Sequence, residues 1–553
     1  MKKFVLSLLC LLPAWGFAQD GLWFSWVSKD VHYAQTDCPD RSLTADTLLT
    51  AWRGERAAMQ ALVYASEATG PLKLRLSEWR KSGRQIASTQ GWARFVSYVT
   101  TDSYQTCGYH PTHLIPYQVP DVIELEGSQK LGARTARPVW CTFEVPRDAE
   151  PGTYRVRLEL SDSASGKVLR KLNLSLCVKE RTLPAPADQN FHVDFWQQPY
   201  AVSRYLNVPR WSEAHMEALK PYLRLLARSG QRVASVILFY EPWGEQSHDK
   251  FDPMIRTTKR ADGTWSYDYT IFDRWVELCA ECGIDKGINC FSMVPWDMSF
   301  TYFDEAQHRE ISLQTKTDTP EYAELWTAFL KSFAAHLKAK GWYDKTCIAM
   351  DERGLPNMLD AYRVAQQAVP GIRMALAGTY HKELVDKLAD YCIAFGEYFS
   401  EEELALRHAK GYVSTTYNCC STPSPNVFTN SLPAEAVYLP LYCTAHDFDG
   451  YLHWSWMNWP ADPLHDSRFR MFAPGDTYLI YPGPRSSVRY ERFLEGVAAA
   501  EKVRILRDEY KQKGDEASLQ RLNGLLKKFE DPQVSDPTAV AAKVREMEAE
   551  LNR

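Results

Sequence analysis

The sequence predicts a multidomain α/β protein: an N-terminal antiparallel β-sandwich, then a (β/α)8 TIM barrel, then a short helical tail. Three observations lead to this prediction. Short runs of alternating polar and apolar residues fill residues 19–182, which is typical of antiparallel sheets. Strand-like and helical segments alternate over residues 190–506, which indicates a parallel sheet. Residues 507–553 are highly charged with only a thin apolar stripe, so we expect a solvated helical appendage.

Residues 1–18 have the pattern of an export signal. Lys2 and Lys3 are followed by an apolar stretch over residues 4–15, and Gly16-Phe17-Ala18 forms a small-x-small cleavage site. The apolar stretch is too short to span a bilayer, and no later segment is apolar enough. We therefore expect an exported protein, periplasmic or secreted, without a membrane span.

The sandwich prediction depends on period-2 segments that are separated by turn residues. The clearest of these segments are residues 58–65, 72–76, 139–145, 154–160 and 172–178. Pro184 and Pro186 make residues 183–189 a stiff linker to the next domain. No cluster of catalytic residue types lies in this first domain.

Eight strands and at least five helices are predicted in the second domain. The strands are residues 191–196, 233–240, 287–292, 346–352, 372–378, 391–397, 412–417 and 451–456. The helices are residues 212–229, 271–282, 320–340, 357–367 and 401–410. Eight strand–helix repeats favour a barrel. A doubly wound open sheet is the alternative, but no glycine-rich phosphate loop follows any strand.

Active sites of such barrels lie at the carboxyl ends of the strands, and here those ends carry aromatic and acidic residues. They are Trp196, Glu241, Trp296, Asp351, Glu352, Tyr380, Glu397, Tyr398, Tyr417, Trp454, Trp456 and Asn458. Aromatic faces stack on sugar rings, and carboxylates or amides bind sugar hydroxyls. A glycan is therefore the expected substrate. No metal-ligating or phosphate-binding set is present, so no cofactor is expected, and a net charge of −5 gives no electrostatic case for nucleic acid.

Asp351 and Glu352 are adjacent where a buried strand emerges. Burying charge is costly, so the pair indicates the floor of a cleft. The alternative is an acidic N-cap for the helix that starts near Pro356. Ordinary glycosidases place two carboxyl groups on opposite sides of the sugar, and neighbours in sequence cannot easily do so.

Adjacent carboxylates suit hydrolysis assisted by the 2-acetamido group of the substrate. Asp351 would hold the amide N–H, while Glu352 would protonate the leaving oxygen and later activate water. A tyrosine would orient the acetamide oxygen, with Tyr398 as first choice and Tyr417 as second.

Three further segments complete a resemblance to a known family: GYLHWSW at residues 450–456, PGDTYLIYPG at 474–483 and RYE at 489–491. With the sandwich and the Asp-Glu pair, they make the mature chain similar to glycoside hydrolase family 123. The resemblance implies a β-N-acetylgalactosaminidase in which Asp351 orients the acetamido group and Glu352 is the acid/base.

The leading hypothesis is a retaining exo-β-N-acetylgalactosaminidase. The first alternative is a barrel glycosidase of other sugar specificity, using Glu352 with a carboxylate from another strand, such as Glu241 or Glu397. The second is a carbohydrate-binding protein without activity. The long loops at residues 244–269 and 296–319 are expected to control which sugar or linkage is accepted.

Overall fold

The computed structural model describes residues 21–38, 46–103 and 115–553. The predicted export signal lies outside the described residues. Within them, no helix has both the length and the apolar character needed to cross a membrane.

The N-terminal domain is a sandwich of two β-sheets. Its strands are β1 (Leu22–Val27), β2 (Asp46–Arg53), β3 (Arg56–Ala65), β4 (Leu72–Leu76), β5 (Trp79–Lys81), β6 (Arg84–Ile86), β7 (Gly91–Thr101), β8 (Tyr117–Ile123), β9 (Thr135–Glu144), β10 (Gly152–Asp162) and β11 (Val168–Thr182). One sheet has the order β1-β3-β9-β7-β8, and the other β2-β11-β10-β5-β6 with β4 paired to β10. The pairing is antiparallel apart from β2 with β11. Inward side chains such as Trp79, Phe143 and Leu158 form its core.

The second domain contains the eight predicted barrel strands, joined in one parallel sheet. They are β12 (His192–Phe195), β13 (Val233–Ile237), β16 (Gly287–Phe291), β19 (Thr346–Met350), β20 (Arg373–Gly378), β21 (Asp390–Ala394), β22 (Val413–Tyr417) and β23 (Gly450–His453). The order is β12-β23-β22-β21-β20-β19-β16-β13. The predicted alternation of strands and helices is thus confirmed.

Two glutamines close the barrel between β12 and β13. Val193 and Gln231 form a parallel bridge, and Gln231 accepts the Phe195 amide (2.8 Å) while donating to the Val233 carbonyl (2.7 Å). Gln197 accepts the Ser235 amide at 2.8 Å. Amide side chains therefore satisfy backbone groups that a continuous ladder would otherwise pair.

Ten α-helices lie among the described residues. They are α1 (Tyr200–Leu206), α2 (Glu213–Ala227), α3 (Thr270–Glu281), α4 (Pro320–Lys340), α5 (Leu355–Ala368), α6 (Glu401–Ala409), α7 (Pro433–Ala445), α8 (Val488–Lys513), α9 (Glu516–Leu526) and α10 (Pro537–Leu551). Helix α4 has a Thr319 N-cap, Pro320 in the first turn and Gly341 at its end with φ +71°, the usual signals for both termini. Helix α7 is not predicted from the sequence, because its residues are buried on every side and so lack an amphipathic period.

The segments predicted as long loops contain an additional sheet. Strands β14 (Arg256–Lys259), β15 (Trp265–Asp268), β17 (Ser299–Asp304) and β18 (Arg309–Gln314) pair in the order β15-β14-β17-β18. We call this the accessory sheet. Its strands have four to six residues and many partly exposed positions, so the apolar alternation that predicts a strand is weak.

The C-terminal tail packs onto the rest of the protein, so the prediction of a solvated appendage was wrong. Leu522, Phe529, Val540 and Met547 are fully or almost fully buried. The thin apolar stripe that the sequence shows is therefore sufficient for packing against the main hydrophobic core. Helix α8 ends at Gly514 with φ +65°, and α9 follows from Glu516.

Helix α8 also joins the two domains. Arg489 forms a buried ion pair with Asp121 of β8 at 2.9 Å, and Arg492 forms one with Asp30 at 2.7 Å. Because breaking a buried pair leaves an uncompensated charge, these contacts hold the sandwich against the barrel.

Candidate active site

Asp351 and Glu352 lie at the carboxyl end of β19, directly after five buried residues. The Asp351 side chain is partly buried and Glu352 is exposed. Neither caps the next helix: the N-cap of α5 is Gly354, without a side-chain cap. The alternative of an acidic helix cap is therefore excluded, and the pair lies in the open end of the barrel.

Trp296, in the loop after β16, contacts Asp351. Its indole Nε1 donates a hydrogen bond to Asp351 Oδ2 at 3.2 Å. The Arg353 guanidinium lies 3.8 Å from the ring centroid, a cation–π arrangement that fixes the indole plane. The Trp296 side chain remains 44% exposed, so it can still meet a ligand.

The pKa of Asp351 is raised to about 6. Burial is the main cause, and the negative charge of Glu352 adds to it. Trp296 and Arg353 act in the opposite direction because they favour the ionised carboxylate. Asp351 therefore changes charge close to neutral pH.

Tyr417, the last residue of β22, contacts the other carboxylate. Its phenol donates a hydrogen bond to Glu352 Oε1. Burial, together with the Glu352 charge, raises the pKa of Tyr417 far above its usual value, so the phenol remains a donor. Gly378, at the end of β20, lies next to Glu352, and a Cβ there would be in ordinary van der Waals contact with Glu352 Cα at 3.4 Å.

Trp454, just beyond β23, is a partly exposed aromatic residue of the same end of the barrel. Its Nε1 donates to Asp476 Oδ2 at 3.2 Å, and its ring lies 4.8 Å from that of Phe472. Asp476 is buried, which raises its pKa to about 7. Asp476 and Arg353 are not among the site residues predicted from the sequence. The signal that could have indicated Asp476 is its position within the PGD segment at residues 474–476.

Three of the predicted site residues are part of the packed interior. Trp196 stacks on Trp243 at 5.4 Å inside the barrel. Trp456 is fully buried and packs on Tyr490 of α8 at 4.8 Å. Asn458 is also buried, and its Oδ1 accepts the His248 amide at 2.9 Å.

The other two strand-end glutamates bind backbone amides. Glu241 Oε2 accepts the Phe251 amide at 2.6 Å, and burial raises its pKa to about 7. Glu397 Oε2 accepts the amides of Tyr380 (2.8 Å) and Ala394 (3.2 Å). Both carboxylates therefore stabilise loop conformations.

Tyr380 and Tyr398 have contacts away from Asp351 and Glu352. The Tyr380 phenol donates to Glu403 at 2.7 Å. The Tyr398 hydroxyl receives a hydrogen bond from Tyr442 at 3.4 Å, and its ring lies 4.6 Å from His446. Of the two tyrosines considered for the acetamide, only Tyr417 has a hydrogen bond to the carboxylate pair in the described part of the chain.

A polar cavity of about 300 Å³ lies next to Trp296, where the accessory sheet meets the loop after β13. Its lining includes Glu241, Asp297, Ser299, Ser312 and Gln314. Hydroxyl, amide and carboxyl groups of this kind can bind sugar hydroxyls. Within residues 21–38, 46–103 and 115–553, no cluster of three or more His, Cys, Asp or Glu is suited to a metal.

Comparison with known proteins identifies the family. The sequence model of the glycoside hydrolase 123 catalytic domain matches residues 196–506, and that of the family's N-terminal domain matches residues 26–162. The chain belongs to glycoside hydrolase family 123. The protein is therefore a glycoside hydrolase, and the resemblance drawn from its motifs is confirmed.

A solved structure of a family 123 glycoside hydrolase from Clostridium perfringens, studied for glycolipid glycan hydrolysis, has the same fold. The TM-score is 0.87 at 23% identity, covering 96% of this chain and 98% of that one. A β-glucuronidase from Bacteroides uniformis reaches a TM-score of only 0.29 at 11% identity, covering 85% of this chain and 49% of that one. This score is too low to indicate a shared fold. No curated protein matches the chain.

Proposed function

We propose that this family 123 glycoside hydrolase is a retaining exo-enzyme that removes terminal β-linked N-acetylgalactosamine from glycans, using the acetamido group of its substrate as the nucleophile. The observation that carries the proposal is the adjacent pair at the end of β19, combined with the use of Glu241 and Glu397 by backbone amides. Asp351 and Glu352 are next to each other, and a substrate that brings its own nucleophile needs no third carboxylate from the enzyme.

In the first step, the acetamido carbonyl oxygen attacks C1 and the glycosidic bond breaks. Glu352 gives its proton to the leaving oxygen, and a cyclic oxazolinium forms. Asp351 accepts a hydrogen bond from the acetamido N–H and offsets the positive charge that develops there. In the second step, Glu352 takes a proton from water, and the oxygen of that water attacks C1 from the side of the departed group. The bond from C1 to the acetamido oxygen breaks at the same time, which restores the neutral acetamido group. Two inversions at C1 give net retention.

The observed hydrogen bonds leave one oxygen of each carboxylate available. Tyr417 occupies Glu352 Oε1 and Trp296 occupies Asp351 Oδ2. Glu352 Oε2 can then face the glycosidic oxygen, and Asp351 Oδ1 the acetamido N–H. Holding both carboxylates before the substrate arrives lowers the cost of orienting them during reaction.

The choice of N-acetylgalactosamine comes from the family resemblance, and related barrels can change their sugar through loop replacement. We infer that the accessory sheet and the cavity beside Trp296 determine which sugar is accepted. In the alternative of a conventional pair on two strands, the partner of Glu352 would be Glu241 or Glu397, whose Oε2 atoms accept backbone amides. A binding protein without activity would not need both acids.

The test is a panel of aryl β-glycosides of N-acetylgalactosamine, N-acetylglucosamine, galactose and glucose. We expect turnover of the N-acetylgalactosaminide with retained configuration, and little turnover of galactoside or glucoside. Turnover of the galactoside but not of its 2-acetamido analogue would favour the mechanism with carboxylates from two strands. No turnover of any glycoside, with binding intact, would favour the inactive binding protein.

A further inference from the structure

The outer surface of the sandwich carries a group of arginines far along the chain from the catalytic pair. Arg75, Arg80, Arg155 and Arg157 line a surface cavity of about 730 Å³. We call these four side chains and the cavity between them the arginine face. Nothing in the proposed reaction uses it.

Strand register places these residues on one side of the sheet. Arg155 of β10 lies opposite Arg80 of β5 on one side and Ser175 of β11 on the other. In the same way, Glu159 of β10 lies opposite Arg75 of β4 on one side and Lys171 of β11 on the other. Val156 and Leu158, between them, are buried, so the arginines point to solvent as the two-residue period requires.

Positive charge on this face exceeds its negative charge. Arg80 pairs with Glu78 at 3.0 Å and Arg157 with Glu159 at 3.6 Å. In the part of the chain that the structure describes, no carboxylate pairs with Arg75 or Arg155. This excess of positive charge is local to the arginine face, whereas the whole chain has a net charge of −5.

The arrangement also has an electrostatic cost. Like charges directly opposite on neighbouring strands are destabilising, and Arg155 faces Arg80 in that position. A bound anion would remove this repulsion. The planar guanidinium groups can each bind a sulfate or a carboxylate through two parallel hydrogen bonds.

We propose that the arginine face binds an anionic polysaccharide through its sulfate or carboxylate groups. Ser77, Asn173 and Ser175 also line the cavity and can bind neutral hydroxyls of the same chain. The lining residues include no aromatic side chain, so unpaired nucleobases would lack a stacking surface. The proposal goes beyond the proposed function, since it does not depend on which terminal sugar is cleaved.

Binding at this face would tether the polymer to the enzyme. The sandwich and the barrel are held together by the Arg489–Asp121 and Arg492–Asp30 pairs. A glycan bound on one domain therefore stays close to the other, and its ends reach the active site at a raised effective concentration.

The experiment measures binding of the full chain to chondroitin sulfate, to its chemically desulfated form, and to a desulfated form whose carboxyl groups have been reduced. The variant R155S/R157S removes two arginines of the face. The control R224S/R363S removes two exposed arginines on helices α2 and α5, with the same change in net charge. Thermal unfolding verifies that both variants fold.

We expect the wild type to bind one or both charged polymers but not the neutral one, with weaker binding at 300 mM than at 50 mM salt because the contacts are exposed. R155S/R157S should weaken binding at least about tenfold, the effect of losing a pair of charge-assisted contacts, and R224S/R363S less than about twofold. Wild-type affinity in R155S/R157S, or an equal loss in the control, would overturn the proposal. So would equally tight binding of single-stranded DNA of matched charge. Because binding is measured without turnover, failure here is distinct from failure of the proposed reaction.

Discussion

The indole of Trp296 donates a hydrogen bond to Asp351 at 3.2 Å, and this contact links the accessory-sheet side of the barrel to the Asp351–Glu352 pair. The Trp296 backbone amide in turn donates to the Pro242 carbonyl at 2.8 Å. Three loops, those after β13, β16 and β19, thus meet at Trp296. The orientation of Asp351 depends on it.

Replacing Trp296 with phenylalanine should raise the pKa of Asp351 above about 6, because a donor to the ionised form is lost. A hydrogen bond to a charged group contributes about 1.5–3 kcal/mol, so kcat/KM for an aryl N-acetylgalactosaminide should fall by about 10- to 100-fold. Trp265→Phe is the matched control, since that ring packs on Tyr302 of the accessory sheet. Equal losses in both variants would indicate general loop damage.

The pH dependence of kcat/KM should show an acidic limb near pH 6, where Asp351 loses its charge. The raised pKa means that Asp351 is protonated below this pH and can no longer accept the acetamido N–H or offset positive charge. The measurement is a pH profile from about pH 4 to 9 with an aryl N-acetylgalactosaminide.

The origin of that limb can be tested with Glu352→Gln. A dinitrophenyl leaving group needs no proton, so this variant should keep measurable activity. Removing the Glu352 charge removes one cause of the raised pKa of Asp351, and the limb should move to lower pH. A limb that stays in place would assign it to another group.

Asp351→Asn should stabilise the protein at neutral pH. The pKa of Asp351 is about 6 in the folded protein against an ordinary 3.8, so ionisation opposes folding as the pH rises through this interval. Two pKa units correspond to about 3 kcal/mol, and partial exposure reduces this to about 1–2 kcal/mol. We expect a Tm increase of a few degrees at pH 7.5 that disappears near pH 4. An equal increase at both pH values would contradict an electrostatic origin.

Tyr417→Phe should reduce kcat by about 10- to 100-fold, because loss of a charged hydrogen bond costs about 1.5–3 kcal/mol and leaves Glu352 Oε1 without its donor. Tyr398→Phe is the control, since its hydroxyl contacts Tyr442. Steady-state kinetics of both variants measure the effect. A large loss in Tyr398→Phe with a small one in Tyr417→Phe would reverse their roles.

Local sequence was sufficient to locate Asp351 and Glu352. Two carboxylates after a buried strand must emerge where the strand ends, whatever the rest of the chain does. The barrel followed from repeated local patterns in the same way. The accessory sheet and α7 did not, because short exposed strands and a helix buried on all sides lack the periodicity on which such predictions depend.

The predicted strand ends did not show which of Tyr417 and Tyr398 contacts the carboxylate pair. A position along a strand indicates how far along the barrel axis a residue lies, but not the direction of its side chain. Strand β21 ends at Ala394, so Tyr398 lies in a loop that turns towards His446. Trp454 and Trp456 illustrate the same limit. Strand β23 ends at His453, and beyond it the two-residue alternation no longer places both indoles on one side.

The most direct test of participation by the substrate's acetamido group is inhibition by N-acetylgalactosamine thiazoline, a mimic of the cyclic intermediate. The account predicts competitive inhibition of the wild type at concentrations far below KM for an aryl N-acetylgalactosaminide, weakened by about 100-fold or more in Asp351→Asn. Turnover of that substrate by the wild type without any inhibition by the thiazoline would contradict it.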